Sequence, residues 1–288
     1  MYLKERKLGY NTLSGMLPGL FVPFGIDPKT FTGADFFDGT YSKGMLVFKT
    51  AKTYDSFTPV TAGDVEVLVV AGGGGSGRNS TNNGQNPGGG GGGGLIYIDD
   101  YTLTAEGKTV IIGGGGAAST STSSKGANGG NSSFDNLGAL GGGGGGSPGS
   151  LSGSSGGSGG GGAVNTSTSG AGSGGSGLQP SESGLSGTHG YGNNGTSGDG
   201  PNAGPGGGAM STGGAGKDVW GYEYSRGGAH GQLASGGVTG PANSGHGGGA
   251  PLKETAGGHN GGSGIVIVRW GGYNKNYDPT DDSVTEVV

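Results

Sequence analysis

Apolar residues gather in a few short runs, and long stretches between them carry almost none. DVEVLVVA at 64–71 is rich in β-branched residues and, after Asp64 and apart from Glu66, apolar on both faces of a period-two repeat. It predicts an interior strand. IVIVRW at 265–270 predicts another. MLVFK at 45–49, LIYIDDYTLTA at 95–105 and KTVIIG at 108–113 predict three more strands, and NSSFDNLGAL at 131–140 a short hairpin. No window shows a 3.6-residue period built from helix formers. Glycine in a helix costs about 1 kcal/mol relative to alanine. Runs such as Gly88–Gly94 and Gly141–Gly146 therefore predict a chain with essentially no α-helix.

Between the strands lies a glycine body, at 72–94, 113–130 and 141–264. Glycine fills 81 of 288 positions, hydrophobic residues make up 29% and charged residues 12%. A globular domain carries roughly 25% charged residues and ~7% glycine, so most of this chain has no large aliphatic core to draw on. Low hydrophobicity alone would suggest disorder, but disordered chains are usually rich in charge. Collagen needs glycine at every third position and abundant proline; here the runs are contiguous and proline totals 12. Two readings remain open. One is a flexible linker. The other is polyglycine II, an extended three-fold helix rising ~3.1 Å per residue, in which Gly88–Gly94 would span about 22 Å. Ordering glycine is entropically costly, so backbone hydrogen bonds between rods, each worth ~1 kcal/mol net, must offset it. Asn-Gly pairs at 83–84, 128–129, 194–195 and 260–261, with Pro148-Gly149 and Pro205-Gly206, are expected turns between rods.

Candidate chemistry is sparse. Gly72, Gly74 and Gly77 follow a strand in a GxGxxG pattern, but the residues after them cannot open the helix that a dinucleotide site requires. Thr102 stands where a phosphate loop ending at Gly107-Lys108-Thr109 needs its first glycine. His189, His230, His246 and His259 show no metal-ligand spacing, cysteine is absent, and no GxSxG elbow occurs. Asp99 and Asp100 are strand neighbours, which point to opposite faces. No enzyme activity, cofactor or metal is expected. With a net charge of −5, a pI near 5.3 and no basic patch, no nucleic-acid partner is expected. No apolar run approaches ~20 residues, so no membrane insertion is expected. Gly15, Pro18, Gly19 and Pro23 interrupt the N-terminal apolar residues, and no secretory leader is expected.

An ordered set of blocks carries a resemblance: VLVVAGGGG at 67–75, GGLIYIDDYTLTAEGKTVIIGGGG at 93–116, GGNSSF at 129–134, LGALGGGGGG at 137–146 and GGSGIVIVRW at 261–270. Over roughly 55–272 the chain resembles the glycine-rich domain recurrent in phage tail-fibre and other virion proteins, and in some bacterial surface proteins. The resemblance implies an all-β fold: a jelly-roll-like β-sandwich with glycine-rich insertions forming polyglycine II helices. It also implies a virion-surface protein of fibre or spike type that attaches to the host. A purely structural subunit, a capsid decoration or an extracellular filament, is the alternative. Three regions are expected: an aromatic docking segment over 1–60, the glycine-rich domain over 61–272, and an acidic tail over 273–288 that is free or adds a strand. Phe21, Phe24, Phe31, Phe36 and Phe37 are the candidate docking residues toward another virion protein or a second copy of the chain. Trp220, Tyr222, Tyr224, Arg226 and His230 interrupt a small-residue region, and aromatics and arginine dominate binding hot spots. They are candidate contacts for a host glycan or protein, with His189 and Tyr191 as a second group. The competing reading makes them a cap packed on the glycine body.

Overall fold

The computed structural model describes residues 34–40, 42–79, 85–180, 189–230, 237–251, 257–274 and 277–279. Its strands are β1 (Phe36–Thr40), β2 (Lys43–Phe48), β3 (Thr53–Phe57), β4 (Gly63–Val70), β5 (Gln85–Asn86), β6 (Leu95–Leu103), β7 (Lys108–Ile111), β8 (Ser132–Phe134), β9 (Leu137–Ala139), β10 (Val164–Asn165), β11 (Gly170–Ala171), β12 (Gly190–Tyr191), β13 (Lys217–Val219), β14 (Tyr222–Tyr224) and β15 (Ile265–Trp270). No helix occurs among the described residues, and the fold is all-β. Every strand predicted from the pattern is present. The hairpin at 131–140 is β8–β9, closed by Asp135-Asn136 with Phe134 paired to Leu137.

A six-stranded antiparallel sheet runs β1-β2-β15-β4-β6-β12, and a four-stranded sheet runs β3-β7-β8-β9. Period-two alternation sends Leu46, Phe48, Val67, Val69, Ile96, Ile98, Val266 and Val268 to one face of the larger sheet. There they meet Tyr54, Val110, Phe134 and Leu137 of the smaller one. The opposite face carries Met45, Val47, Leu68, Val70, Leu95, Ile265 and Ile267, covered by the β13–β14 hairpin and by Tyr273 and Tyr277. Burial on both faces is why β4 and β15 read as continuous apolar runs rather than alternating ones. Each such side chain contributes about 1.5–3 kcal/mol on burial. Where β2 crosses β15, Gly44 faces Trp270, and a Cβ there would lie 2.6 Å from the indole ring. The β4–β6 register steps from Val65–Tyr101 to Val67–Ile98, so β6 bulges at Asp99-Asp100 and leaves both carboxylates in solvent.

The glycine runs leave the strand ends and pack as parallel and antiparallel extended segments. Along Gly72 to Gly77, successive N–H groups donate to the carbonyls of Gly130, Gly262, Gly91, Ala127, His259 and Gly88 at 2.8–3.0 Å. The partner segment repeats every third residue, and each partner steps back by three. Carbonyls of Gly72 to Ser76 accept in the same rotation from Gly142, Gly116, Gly248, Gly145 and Ser119. Gly88 to Gly94 follow the same rule, with Gly88, Gly91 and Gly94 donating to Gly146, Gly143 and Leu140. The buried backbone is thus satisfied by remote segments rather than by a local ladder. Glycine is needed here for close approach: a Cβ at Gly90 would sit 2.0 Å from the Gly74 carbonyl oxygen, and one at Gly144 1.8 Å from that of Gly126.

Several expectations are corrected. Residues 43–57 join the sheets: β2 pairs with β15 and β3 with β7, and Met45, Leu46, Val47, Phe48 and Tyr54 are buried there. Phe21, Phe24 and Phe31 lie outside the described residues; Phe36 and Phe37 belong to β1 at the sheet edge. Tyr273 and Tyr277 are buried, so this part of the tail is neither free nor an added strand. Asn128-Gly129, Asn194-Gly195, Asn260-Gly261 and Pro205-Gly206 lie within extended segments instead of turns. There Asn128 Oδ1 accepts from Gly144 N (2.9 Å), Asn194 Oδ1 from Gly177 N (2.8 Å) and Asn260 Oδ1 from Ala118 N (2.8 Å). The side-chain amide supplies the carbonyl that a missing backbone neighbour would have offered. Pro148-Gly149 does turn, between bridged Ser147 and Ser150. Asn83-Gly84 falls outside the described residues.

Candidate functional site

The aromatic cluster at 218–231 divides into two parts. The first is the β13–β14 hairpin, whose two-residue loop is Trp220-Gly221 with φ of 55° and 84°. Both loop residues at positive φ match the right-handed twist of a tight hairpin. For Trp220 this conformation costs roughly 1–2 kcal/mol, and packing holds it. Its indole Nε1 donates to Glu66 Oε2 at 2.9 Å, its ring meets Tyr97 edge-on at 5.6 Å, and the Arg269 guanidinium lies 4.1 Å from the ring centre. Arg269 is itself buried, with Tyr273 5.4 Å away on the other contact, and is the register partner of Glu66. Burial lowers the Arg269 pKa, and Glu66 works against that shift. A desolvated cation over indole is worth about 2 kcal/mol.

Tyr224 is buried against the outer apolar face of the sheet, and Tyr222 leans on it at 4.8 Å between ring centres. Burial pushes the Tyr224 hydroxyl well above its ordinary pKa. The second candidate group joins the same face. β12 pairs with the start of β6, Tyr191 opposite Leu95, and Lys217 stands 4.4 Å over the Tyr191 ring. The His189 carbonyl accepts from Tyr97 N at 3.1 Å. The structure thus gathers Trp220, Tyr222, Tyr224, Tyr191 and His189 around one sheet face, held by Glu66, Tyr97 and Arg269. Those three were missed in the sequence. Their signal was there: Glu66 and Arg269 each stand between apolar residues of a strand, Val65 and Val67 in β4 and Val268 and Trp270 in β15.

Arg226 and His230 go elsewhere. They line a cleft of about 650 Å³ with Pro205, Ala229, Val238, Pro241 and His246, between glycine segments. The Arg226 side chain is 62% exposed and lies 3.7 Å from Glu223. His230 Nδ1 is buried with no hydrogen-bond partner, and burial lowers the pKa of this imidazole. His246 Nε2 contacts the Glu223 carbonyl at 2.8 Å; burial lowers its pKa, and that carbonyl works the other way.

The remaining motifs are occupied by structure. The N–H groups of Gly72 to Gly77, which a dinucleotide would need, are all bonded to backbone carbonyls. Lys108 is buried, 3.0 Å from Asp135, and donates to Thr104 Oγ1 at 2.8 Å. No cluster of three or more His, Cys, Asp or Glu side chains suited to a metal occurs among the described residues.

Two packed antiparallel sheets with glycine segments bonded into one another define an all-β, glycine-rich class of protein. A family profile described as a glycine-rich domain matches residues 49–271, and the chain belongs to that family. No curated protein matches the chain.

Proposed function

We propose that the glycine segments are polyglycine II rods, and that the chain is a virion-surface protein of fibre or spike type which attaches a phage to its host. The observation behind the rods is the period-three rotation of donors and acceptors along Gly72–Gly77 and Gly88–Gly94. Three-fold symmetry gives every rod neighbours all round, which a ladder of strands cannot do. Such a body is rigid, needs almost no side chains, and presents loops and clefts at fixed positions. Arg226, His230 and the rim of the hairpin are the proposed host contacts. Residues 1–33 would dock on another virion protein or on a second copy.

Attachment is tested by binding the labelled full chain to whole host cells. Saturable binding, lost on Arg226→Gln with His230→Ala, supports the reading; no binding to any candidate host strain refutes it. Removing residues 1–33 tests docking, since that cut spares every described strand, and undiminished incorporation into particles would reject it. The alternative, a purely structural subunit, draws on a specific observation: Trp220 and Tyr224 are tied down onto the sheet and cap it. Polymerisation of the chain alone would favour it.

A further inference from the structure

The cleft beside the hairpin has unused donors, as do other outward-facing positions of the glycine body such as Ser152 and Ser155, and it sets charged and apolar side chains beside them. The N–H groups of segment 225–230 find partners on two sides. Gly227 donates to the Gly214 carbonyl at 2.8 Å and Gly228 to that of Gly90 at 2.7 Å. The third direction belongs to Arg226 and Ala229, whose N–H groups find no acceptor among the described residues. Both residues line the cleft. At a rise of ~3.1 Å per residue the two donors stand about 9 Å apart along one wall. The same stretch carries the exposed Arg226 guanidinium and the unpartnered His230 Nδ1. Val238, 67% exposed, and Pro241 add an apolar wall. No carboxylate is among the lining side chains.

A buried polar atom without a partner costs about 1–3 kcal/mol, so a ligand that brings one to His230 recovers that cost. Two donors about 9 Å apart are too distant for one small anion to bridge. They suit polar groups spread along an extended ligand. Apolar wall, convergent donors and an exposed cation, held only by the solvent-facing contact with Glu223, together describe a concave site for a hydroxyl-bearing anion. We propose that this cleft binds an acidic oligosaccharide. A ring carboxylate pairs with Arg226, hydroxyl oxygens accept from the N–H groups of Arg226 and Ala229, a hydroxyl bonds His230 Nδ1, and a sugar face rests on Val238 and Pro241. The inference takes its ligand class from the attachment reading and sharpens it: the cleft, not the docked aromatic face, is the place of recognition.

The test is calorimetric titration of the full chain with oligosaccharides containing glucuronate, galacturonate or sialate, and with neutral counterparts. At least one acidic oligosaccharide should bind, with its neutral counterpart at least tenfold weaker. Arg226→Gln should weaken binding tenfold or more while leaving the thermal midpoint unchanged, since the side chain is exposed. Val238→Trp, which fills the cleft, should abolish it. No binding by any acidic oligosaccharide, equal binding of neutral ones, or indifference to Arg226→Gln overturns the proposal. So does competition by inorganic phosphate or a single uronate at the oligosaccharide's own concentration, which would mean a small-anion site. Cell binding separates the two readings. Attachment that excess free acidic oligosaccharide does not inhibit overturns the cleft assignment and leaves attachment standing. Saccharide binding without cell attachment upholds the cleft and removes the attachment function.

Discussion

Replacing Gly90 by alanine should be among the most damaging single changes in this chain, although it adds one methyl group. The new Cβ would sit 2.0 Å from the Gly74 carbonyl oxygen and 2.6 Å from its carbon. Carbon and oxygen approach no closer than ~3.3 Å in ordinary contacts, so the two segments must part by about 1.3 Å. That separation breaks the bonds from Gly74 N to Gly91 O (2.8 Å) and from Gly77 N to Gly88 O (3.0 Å). Groups left unpaired in the interior cost about 1–3 kcal/mol per bond, hence roughly 2–6 kcal/mol. Reduced freedom of the unfolded chain returns only ~0.4–1 kcal/mol. Gly138→Ala is the control, because nothing lies within 4 Å of its Cβ position; it should be neutral or stabilising by up to ~1 kcal/mol. Equilibrium urea unfolding followed by circular dichroism measures both against the parent. A Gly90→Ala midpoint equal to or above the parent's would refute the close-packed lattice, and is what a flexible linker would give.

Hydrogen exchange should separate the bonded glycine amides from the unbonded ones: Gly72–Gly77 and Gly88–Gly94 slow, Arg226 and Ala229 fast, and uniform fast exchange would contradict the bonding pattern. Trp220→Ala removes the Glu66 bond, the Arg269 stack and the Tyr97 edge contact, and should lower stability by about 2–4 kcal/mol in a thermal melt. A loss under ~0.5 kcal/mol would mean the hairpin is not docked. Asp35 should make stability fall in acid. Burial raises its pKa, but the Tyr54 hydroxyl and the N–H groups of Lys49 and Thr50 outweigh burial and hold it below 3.8. A depressed folded pKa stabilises above the unfolded value and is lost as pH falls through the folded one. Asp35→Asn should therefore flatten the acid limb of stability against pH below about 4; an unchanged limb would show that Asp35 ionisation is not coupled to folding.

The amino-acid sequence determined the strands and the absence of helix. β-Branched runs at 64–71 and 265–270 can bury both faces only inside a sheet, and contiguous glycine cannot hold a helix. The hairpin at 131–140 was equally legible, because alternation and a two-residue polar turn are local signals. Tertiary structure alone decided the order of the glycine body. Nothing in Gly88–Gly94 distinguishes a linker from a rod; the distinction lies in whether Gly72–Gly77, Leu140–Gly146 and Gly245–Gly248 arrive from far along the chain to take its bonds. It also decided that Asn128, Asn194 and Asn260 close hydrogen bonds instead of making turns, since the missing neighbour is a property of the packed lattice. The candidate site was half visible. Trp220, Tyr222 and Arg226 stood out by type, but their separation into a docked face and an open cleft follows from a hairpin that turns at Trp220 and lays one side against Glu66 and Arg269. Those two charges come from strands distant in sequence and adjacent only in the sheet, a pairing that no local pattern encodes.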